Sequence, residues 1–351
     1  MTMYKIKIEI LSPVHISDGT ELEPLEYVIK NNKLYRIDLS NFLSNLPLHD
    51  QNNFMSFTST NNLVEIRKFI KDRFDIEKSP YFWSVKLTGT VSRLYEEKFK
   101  DIQNQLKMSP FIRTSDKPYI PGSSLKGSLR TALLNLWSEG INVNDLDRTD
   151  RQYDKLVEGK ILNAIKERDR KQFDIDKDPF KALLVSDSFL PDNSTFFAKL
   201  SNFNLKDGIL NETQMQIIRE ITNFAVAGHE ILFDTEITVK EEILKKNNLK
   251  SFTLETILKA SDTFYKKILE SEKSRLFEMK KDTYELYDKI FEKAKGGYLC
   301  RIGFGCGFES ITIEKFRFLK QPEKGKPGMG WGYSKYLAEG KHPLGFIKLS
   351  L

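Results

Sequence analysis

The sequence predicts an α+β protein, and three observations carry that prediction. Tyr4 to Leu11 alternate charged and aliphatic residues, the period of two that a half-buried strand requires. Between about Leu254 and Lys295, apolar residues such as Ile257, Leu258, Phe264, Tyr265, Ile268 and Leu269 recur at helical spacing among many charges. Elsewhere strand-like and helix-like segments interleave, with no heptad array or fixed-period repeat, which favours two small sheets with helices between them. At 351 residues the chain is long enough for about two domains.

The elements follow in order. Ser12-Pro13 ends the first strand, and Ser17-Asp18-Gly19 marks a turn. Leu25 to Ile29 and Lys33 to Ile37 flank Asn31-Asn32 and read as a hairpin. Asp38 or Ser40 can cap a short helix through Phe42 and Leu43. Residues 49–62, rich in Asn, Ser and Thr, read as a loop. Leu63, Ile66, Phe69, Ile70 and Phe74 then form a helical stripe before Pro80. Further strands are expected at 183–190, 195–200, 230–239, 308–319 and 344–350.

A composition of 40% apolar and 30% charged residues excludes disorder over the whole chain. No stretch approaches the ~18–20 apolar residues of a membrane span, and the alternating, charged start does not fit a signal peptide. Cys300 and Cys306 are too few for a disulfide scaffold, so a reducing cytoplasm is the expected compartment. The histidines His15, His49, His229 and His342 give no zinc-like spacing with them. Lys and Arg number 55 against 49 Asp and Glu, a formal +6. Residues 315–351 hold Lys315, Arg317, Lys320, Lys324, Lys326, Lys335, Lys341 and Lys348 against Glu323 and Glu339, which accounts for the whole excess. A basic segment of this kind favours a polyanionic partner, with a solubilising surface as the plainer reading.

The sharpest motif is Tyr119-Ile-Pro-Gly-Ser-Ser-Leu-Lys-Gly-Ser-Leu-Arg-Thr-Ala-Leu-Leu134. Pro121-Gly122 makes a turn, Ser123 or Ser124 can cap a helix, and Leu125, Leu129, Leu133 and Leu134 form its buried stripe. A helix N-terminus presents unpaired amides and a positive dipole end, so it can hold a phosphate, with Lys126 and Arg130 on one face beside it. Gly122 and Gly127 have the spacing of a nucleoside-triphosphate loop, but Ser128 stands where that chemistry needs lysine, which argues against an NTPase. In Arg301-Ile-Gly-Phe-Gly-Cys-Gly-Phe308, three alternating glycines permit positive φ and close backbone approach to a ligand, without dinucleotide spacing. Gly325 to Gly332, with Lys324, Lys326 and Trp331, reads as a basic loop whose aromatic can stack a base. His15 is a candidate general base toward a ribose 2′-hydroxyl, or a structural residue beside a turn. Asp18 is a candidate metal or RNA-orienting carboxylate or a turn former, and Asp187 bonds backbone nearby.

Taken in order, these segments resemble the RAMP superfamily of CRISPR-associated proteins. The resemblance rests on Leu11-Ser-Pro-Val-His-Ile-Ser-Asp-Gly19, Tyr119-Ile-Pro-Gly-Ser-Ser-Leu-Lys-Gly127, Leu184-Val-Ser-Asp-Ser-Phe189, Ala227-Gly-His-Glu-Ile-Leu-Phe233, Ile302-Gly-Phe-Gly-Cys-Gly-Phe308 and His342-Pro-Leu-Gly-Phe-Ile-Lys-Leu349. It implies tandem ferredoxin-like (RRM-like) RAMP modules with helical insertions. They are expected at 1–240 and at 241–351, the second with the long helical segment and the glycine-rich loop. Within the superfamily, the length, that helical segment and the Pro-Leu-Gly ending are most similar to the fifth-subunit family of type III-A (Csm) effector complexes.

That resemblance implies a non-catalytic subunit that caps the 3′ end of CRISPR RNA and takes part in its maturation, with no cofactor or metal. The implied partners are CRISPR RNA, other Csm subunits and above all the repeating backbone subunit, and recruited nucleases. Carried onto this chain, the resemblance and the basic segments place His15, Gly122, Ser123, Ser124, Lys126, Arg130, Arg301, Gly303, Gly305, Gly307, Lys326, Trp331 and Lys335 at the RNA. His229 stands where the related pattern has Thr and is given no role. Three alternatives remain open: a metal-independent CRISPR-RNA endoribonuclease using His15, a target-cleaving backbone subunit using Asp18, and a purely structural assembly subunit.

Overall fold

The computed structural model describes all residues except 1, 61, 102–105, 145, 148–149, 167–171, 205–209, 212–216, 277–280 and 318–333. The Gly325–Gly332 loop, with Lys326 and Trp331, therefore lies outside the described residues. In chain order the strands are β1 (Thr2–Ile10), β2 (Tyr27–Lys30), β3 (Lys33–Ile37), β4 (Tyr81–Leu87), β5 (Met108–Ser109), β6 (Arg113–Thr114), β7 (Lys117–Ile120), β8 (Leu183–Val185), β9 (Ser188–Phe189), β10 (Thr195–Asn204), β11 (Leu210–Asn211), β12 (Ile217–Thr222), β13 (Leu232–Val239), β14 (Tyr298–Arg301), β15 (Ser334–Ala338), β16 (His342–Pro343) and β17 (Phe346–Ser350). The helices are α1 (Leu39–Ser44), α2 (Leu48–Ser59), α3 (Leu63–Arg73), α4 (Gly89–Lys98), α5 (Gly122–Trp137), α6 (Tyr153–Leu162), α7 (Glu241–Lys246), α8 (Leu254–Leu276) and α9 (Lys281–Ala294).

The alternation in β1 buries Ile6, Ile8 and Ile10 and leaves Lys5 and Lys7 outside. β1 forms the middle of a five-stranded sheet, β14-β17-β1-β13-β8, antiparallel to both its neighbours. Leu125, Leu129 and Leu133 of α5 and Ile257, Leu258 and Tyr265 of α8 close over its buried face. β1, α5, β8, β13, α8 and β17 thus form a βαββαβ unit with the strand order of a ferredoxin-like module, and β14 is added outside β17. The division expected near residue 240 falls inside this module, because β1 bonds to β13 on one edge and to β17 on the other.

The second sheet is assembled from the segments between those elements. Its path is β16-β15-β10-β4-β3-β2, with β11 and β12 on β10 and β5 on β12. The β2–β3 hairpin turns through Asn31 and Asn32, both left-handed (φ 50° and 55°), as a two-residue primed turn requires. α1, capped by Asp38, packs with α2 and α3 over Val28, Tyr35 and Ile37. α4 covers Tyr27, Leu34 and Val85 on the opposite face.

Two expectations are corrected. Most of residues 49–62 form the helix α2 rather than a loop, because Phe54 and Phe57 pack on Phe69 of α3 and buried Asp50 pairs with Arg73. Tertiary packing here overrides the weak helix propensity of Asn, Ser and Thr. Residues 308–316, expected as part of a strand, form the 3₁₀ turns Phe308–Ile311 and Glu314–Phe316 instead. Asn135 of α5 satisfies this backbone, accepting from Glu314 N–H (2.8 Å) and donating to the Thr312 carbonyl (3.2 Å), so no ladder is needed.

Candidate nucleic-acid interface

The helix start that reads as a phosphate site has its first amide taken from within. α5 begins at Gly122, behind Pro121, and no side chain of its own caps it, so Ser123 and Ser124 do not act as caps. The cap comes from Asp187, whose Oδ1 accepts the Gly122 N–H at 2.7 Å. Lys126 donates to the Leu183 carbonyl at 2.7 Å, and Arg130 pairs with Asp178 (2.8 Å) and Glu158 (2.6 Å). Of this motif, Ser123 and Gly127 remain exposed.

The glycine-rich loop has the expected backbone, with φ of 86°, 78° and 79° at Gly303, Gly305 and Gly307. The close approach is to protein. A Cβ on these residues would come within 2.5 Å of the His15 carbonyl oxygen, 2.5 Å of Leu344 Cδ1 and 2.6 Å of Lys335 Nζ respectively. Arg301 and Lys335 are only 2% and 4% exposed, and both bond to Glu272 of α8, Arg301 at 2.7 Å. The Tyr287 hydroxyl donates to the same carboxylate at 2.8 Å. Burial pushes the Glu272 carboxyl up, but Arg301 and Lys335 more than offset it and hold the pKa at about 2.

His15 and Gly303 do meet, in a cleft of about 360 Å³ lined by His15, Ile16, Ser17, Gly19, Glu21, Ser109, Arg219, Gly303 and Phe304. Phe304 N–H bonds the His15 carbonyl at 2.8 Å and so fixes the loop to the segment after β1. His15 is 1% exposed, and its Nδ1 lies 2.7 Å from the Glu220 carbonyl, an acceptor that assigns the ring proton to Nδ1. Nε2 then accepts from Arg219 Nη1 at 3.1 Å. Burial pushes the imidazole down to about 4, and Arg219 adds to the shift, so His15 is neutral near pH 7. With both nitrogens engaged, the ring positions Arg219 and presents no free base. Asp18 accepts from Thr20 N–H at 2.9 Å, the bond of a turn former.

Arg219 is the residue that the sequence reading missed. It stands on β12, donates to Ser109 Oγ at 2.8 Å and lies over the Phe304 ring with Cζ 4.1 Å from the centroid. Among the described residues it has no carboxylate in ion-pair range, Glu21 acting on it only across the cleft, and its Nε has no hydrogen-bond partner. A guanidinium held by neutral groups keeps its charge for an incoming anion. The signal was a lone arginine in the apolar run Ile217-Ile-Arg-Glu-Ile-Thr222. Among the described residues no cluster of His, Cys, Asp or Glu could hold a metal ion, and no helix is long and apolar enough to cross a membrane.

A sequence profile of the RAMP superfamily matches residues 7–310. A protein of Methanocaldococcus jannaschii described as CRISPR system Cms protein Csm5 is 27% identical over 331 residues, covering 88% of this chain and 72% of its own. The protein of the same description from Streptococcus thermophilus is 30% identical over 192 residues, covering 49% of this chain and 52% of its own. Among solved structures, a chain of a cryo-EM Csm–crRNA–target RNA ternary complex of a type III-A CRISPR-Cas system aligns with a TM-score of 0.72, 20% identity and coverage of 99% and 100%. The crystal structure of T. onnurineus Csm5 aligns with a TM-score of 0.66, 20% identity and coverage of 97% and 99%. At that identity the two structures establish the fold alone.

Proposed function

The chain belongs to the RAMP superfamily, and from that premise we propose that it is a non-catalytic RNA-binding subunit of a type III-A (Csm) CRISPR effector complex. In this reading it acts in the cytoplasm, holds the 3′ end of CRISPR RNA and abuts the repeating backbone subunit, while recruited nucleases trim the guide. The likeness to Csm5 proteins and to a chain of a Csm–crRNA assembly supports it. The single observation that carries it in this chain is Arg219, a charge without a carboxylate partner among the described residues, set in a cleft between the segment after β1 and the glycine-rich loop. His15 and Gly303 act there by holding Arg219 and shaping the wall. Among the other residues expected at the RNA, Ser123 keeps an exposed side chain for it, whereas Gly122, Lys126, Arg130, Arg301, Gly305, Gly307 and Lys335 make internal contacts.

The test is binding and cleavage of end-labelled CRISPR RNA by the full chain, with Mg²⁺ and with EDTA, across a salt series. Salt-sensitive binding without cutting, protection of the 3′-terminal nucleotides and weaker binding by Arg219→Ala are expected. Cutting that survives EDTA and needs His15 would replace this reading with the endoribonuclease. Protection away from the 3′ end would remove the capping role.

A further inference from the structure

Three lysines stand side by side across the second sheet. Lys30 of β2 is directly opposite Lys33 of β3, and Lys33 is directly opposite Lys86 of β4. Like charges facing each other across a strand pair repel, so the row is unfavourable unless something negative meets it. Among the described residues no carboxylate pairs with it: the Lys30 ammonium donates to the Phe74 carbonyl, and the Lys33 and Lys86 side chains have neither an ion pair nor a hydrogen bond. With strands about 4.8 Å apart, the row spans about 10 Å.

The row joins two clefts. Lys30 lines one of about 680 Å³ with Lys71, Arg93 and Glu96, where Lys71 pairs with Glu96. Lys33 and Lys86 line another of about 300 Å³, with Trp83, Arg113, Lys117 and Ser194, and with Asp116 and Asp192 at its wall. In that cleft Arg113 lies over Trp83, Cζ 3.9 Å from the ring centroid, and is held there by fully buried Glu220. Ser194 Oγ and Arg113 Nε are buried in its lining and have no hydrogen-bond partner. Glu220 also carries the carbonyl that bonds His15, so β12 separates this cleft from the Arg219 site.

We propose that the Lys30–Lys33–Lys86 row and the Trp83–Arg113 plate form a second RNA-binding surface, which takes the sugar-phosphate backbone of a single strand with a base beside the plate. The cations are strung in a line and do not converge, which suits an extended polyanion better than a small anion. The aromatic plate suits a nucleobase better than an acidic peptide. RNA as the polyanion rests on the function proposed above, but the surface shares no side chain with the Arg219 cleft.

The experiment is anisotropy of a 5′-labelled oligouridylate with the full chain across a salt series, with tryptophan fluorescence followed in parallel. Lys33→Glu with Lys86→Glu should weaken binding about tenfold or more and flatten the salt slope, since each lost phosphate contact removes about 0.7 from it on a single strand. Lys33→Ala with Lys86→Ala, a milder change, should follow in the same direction. In a Trp331→Phe background, RNA should quench the tryptophan fluorescence, and the quenching should vanish when Trp83→Phe or the lysine changes are added but persist with Arg219→Ala. Unchanged affinity, slope and quenching in lysine variants that unfold like the parent overturn the proposal, as does binding of polyglutamate in place of RNA. Loss of binding in Arg219→Ala with silent lysine variants sinks this surface alone, and the reverse result sinks the Arg219 reading alone.

Discussion

The Asp187 carboxylate and the Gly122 backbone N–H are hydrogen-bonded at 2.7 Å across 65 residues of chain. The carboxylate faces the positive end of the α5 dipole and satisfies one of its open amides, the task an N-cap residue usually performs locally. The approach is close enough that a Cβ on Gly122 would collide with the Val185 carbonyl oxygen. Two segments that read as separate motifs are therefore one joint between the first helix and the edge strand of the ferredoxin-like module.

Breaking that joint should separate steric from electrostatic cost. Gly122→Ala is expected to destabilise by about 2–3 kcal/mol, since the neighbouring atom is backbone and cannot rotate away. Asp187→Ala should cost about 1 kcal/mol, and Asp187→Asn less. Urea unfolding monitored by circular dichroism checks the order; a neutral Gly122→Ala would remove the argument.

The Glu272 cluster is the stability-critical charge in the core. Glu272→Gln leaves Arg301 and Lys335 buried beside each other without their carboxylate, an expected loss of about 3–5 kcal/mol. Arg275→Ala, whose partner Glu309 is nearer the surface, should cost no more than about 1 kcal/mol. Thermal unfolding of the two variants side by side reads the difference.

Acid should unfold the protein partly through His15. Its folded pKa lies at about 4 against an ordinary 6.5, so between these values the unfolded chain binds more protons. The stabilisation is present in full above pH 6.5 and is lost as pH falls toward 4, by roughly 3 kcal/mol. His342, pushed down to about 4 chiefly by burial, acts in the same window and direction. His15→Gln should flatten the fall in unfolding free energy between pH 6.5 and 4; an unchanged slope would exclude His15 as a cause.

Gly303 can be tested against Gly228, which shares its left-handed backbone but lies outside the Arg219 cleft. Both have positive φ, 86° and 85°, yet a Cβ meets the His15 carbonyl oxygen at Gly303 and open space at Gly228. Each alanine should cost about 1–2 kcal/mol in backbone conformation. Only Gly303→Ala should also reduce RNA binding, because it pushes apart the wall that holds Arg219. Equal RNA affinities would separate the loop from the site.

Much of the local structure is legible in the sequence. The isoleucine alternation of β1, the stripe that became α8 and α9, the Asn31-Asn32 hairpin and the left-handed glycines all report preferences that act within a few residues. The destinations of charge were not legible. Lys126, Arg130, Arg301 and Lys335 looked available to a polyanion, yet their partners Leu183, Glu158, Asp178 and Glu272 lie on other elements that only the folded register brings alongside. Arg219 was overlooked for the converse reason, because having no carboxylate in ion-pair range among the described residues is a property of the assembled neighbourhood. Periodicity and turn chemistry depend on backbone angles and burial, which are local. Whether a cation is neutralised or left for a ligand depends on which distant strand or helix packs against it, and that is settled when the two sheets close around β1 and β10.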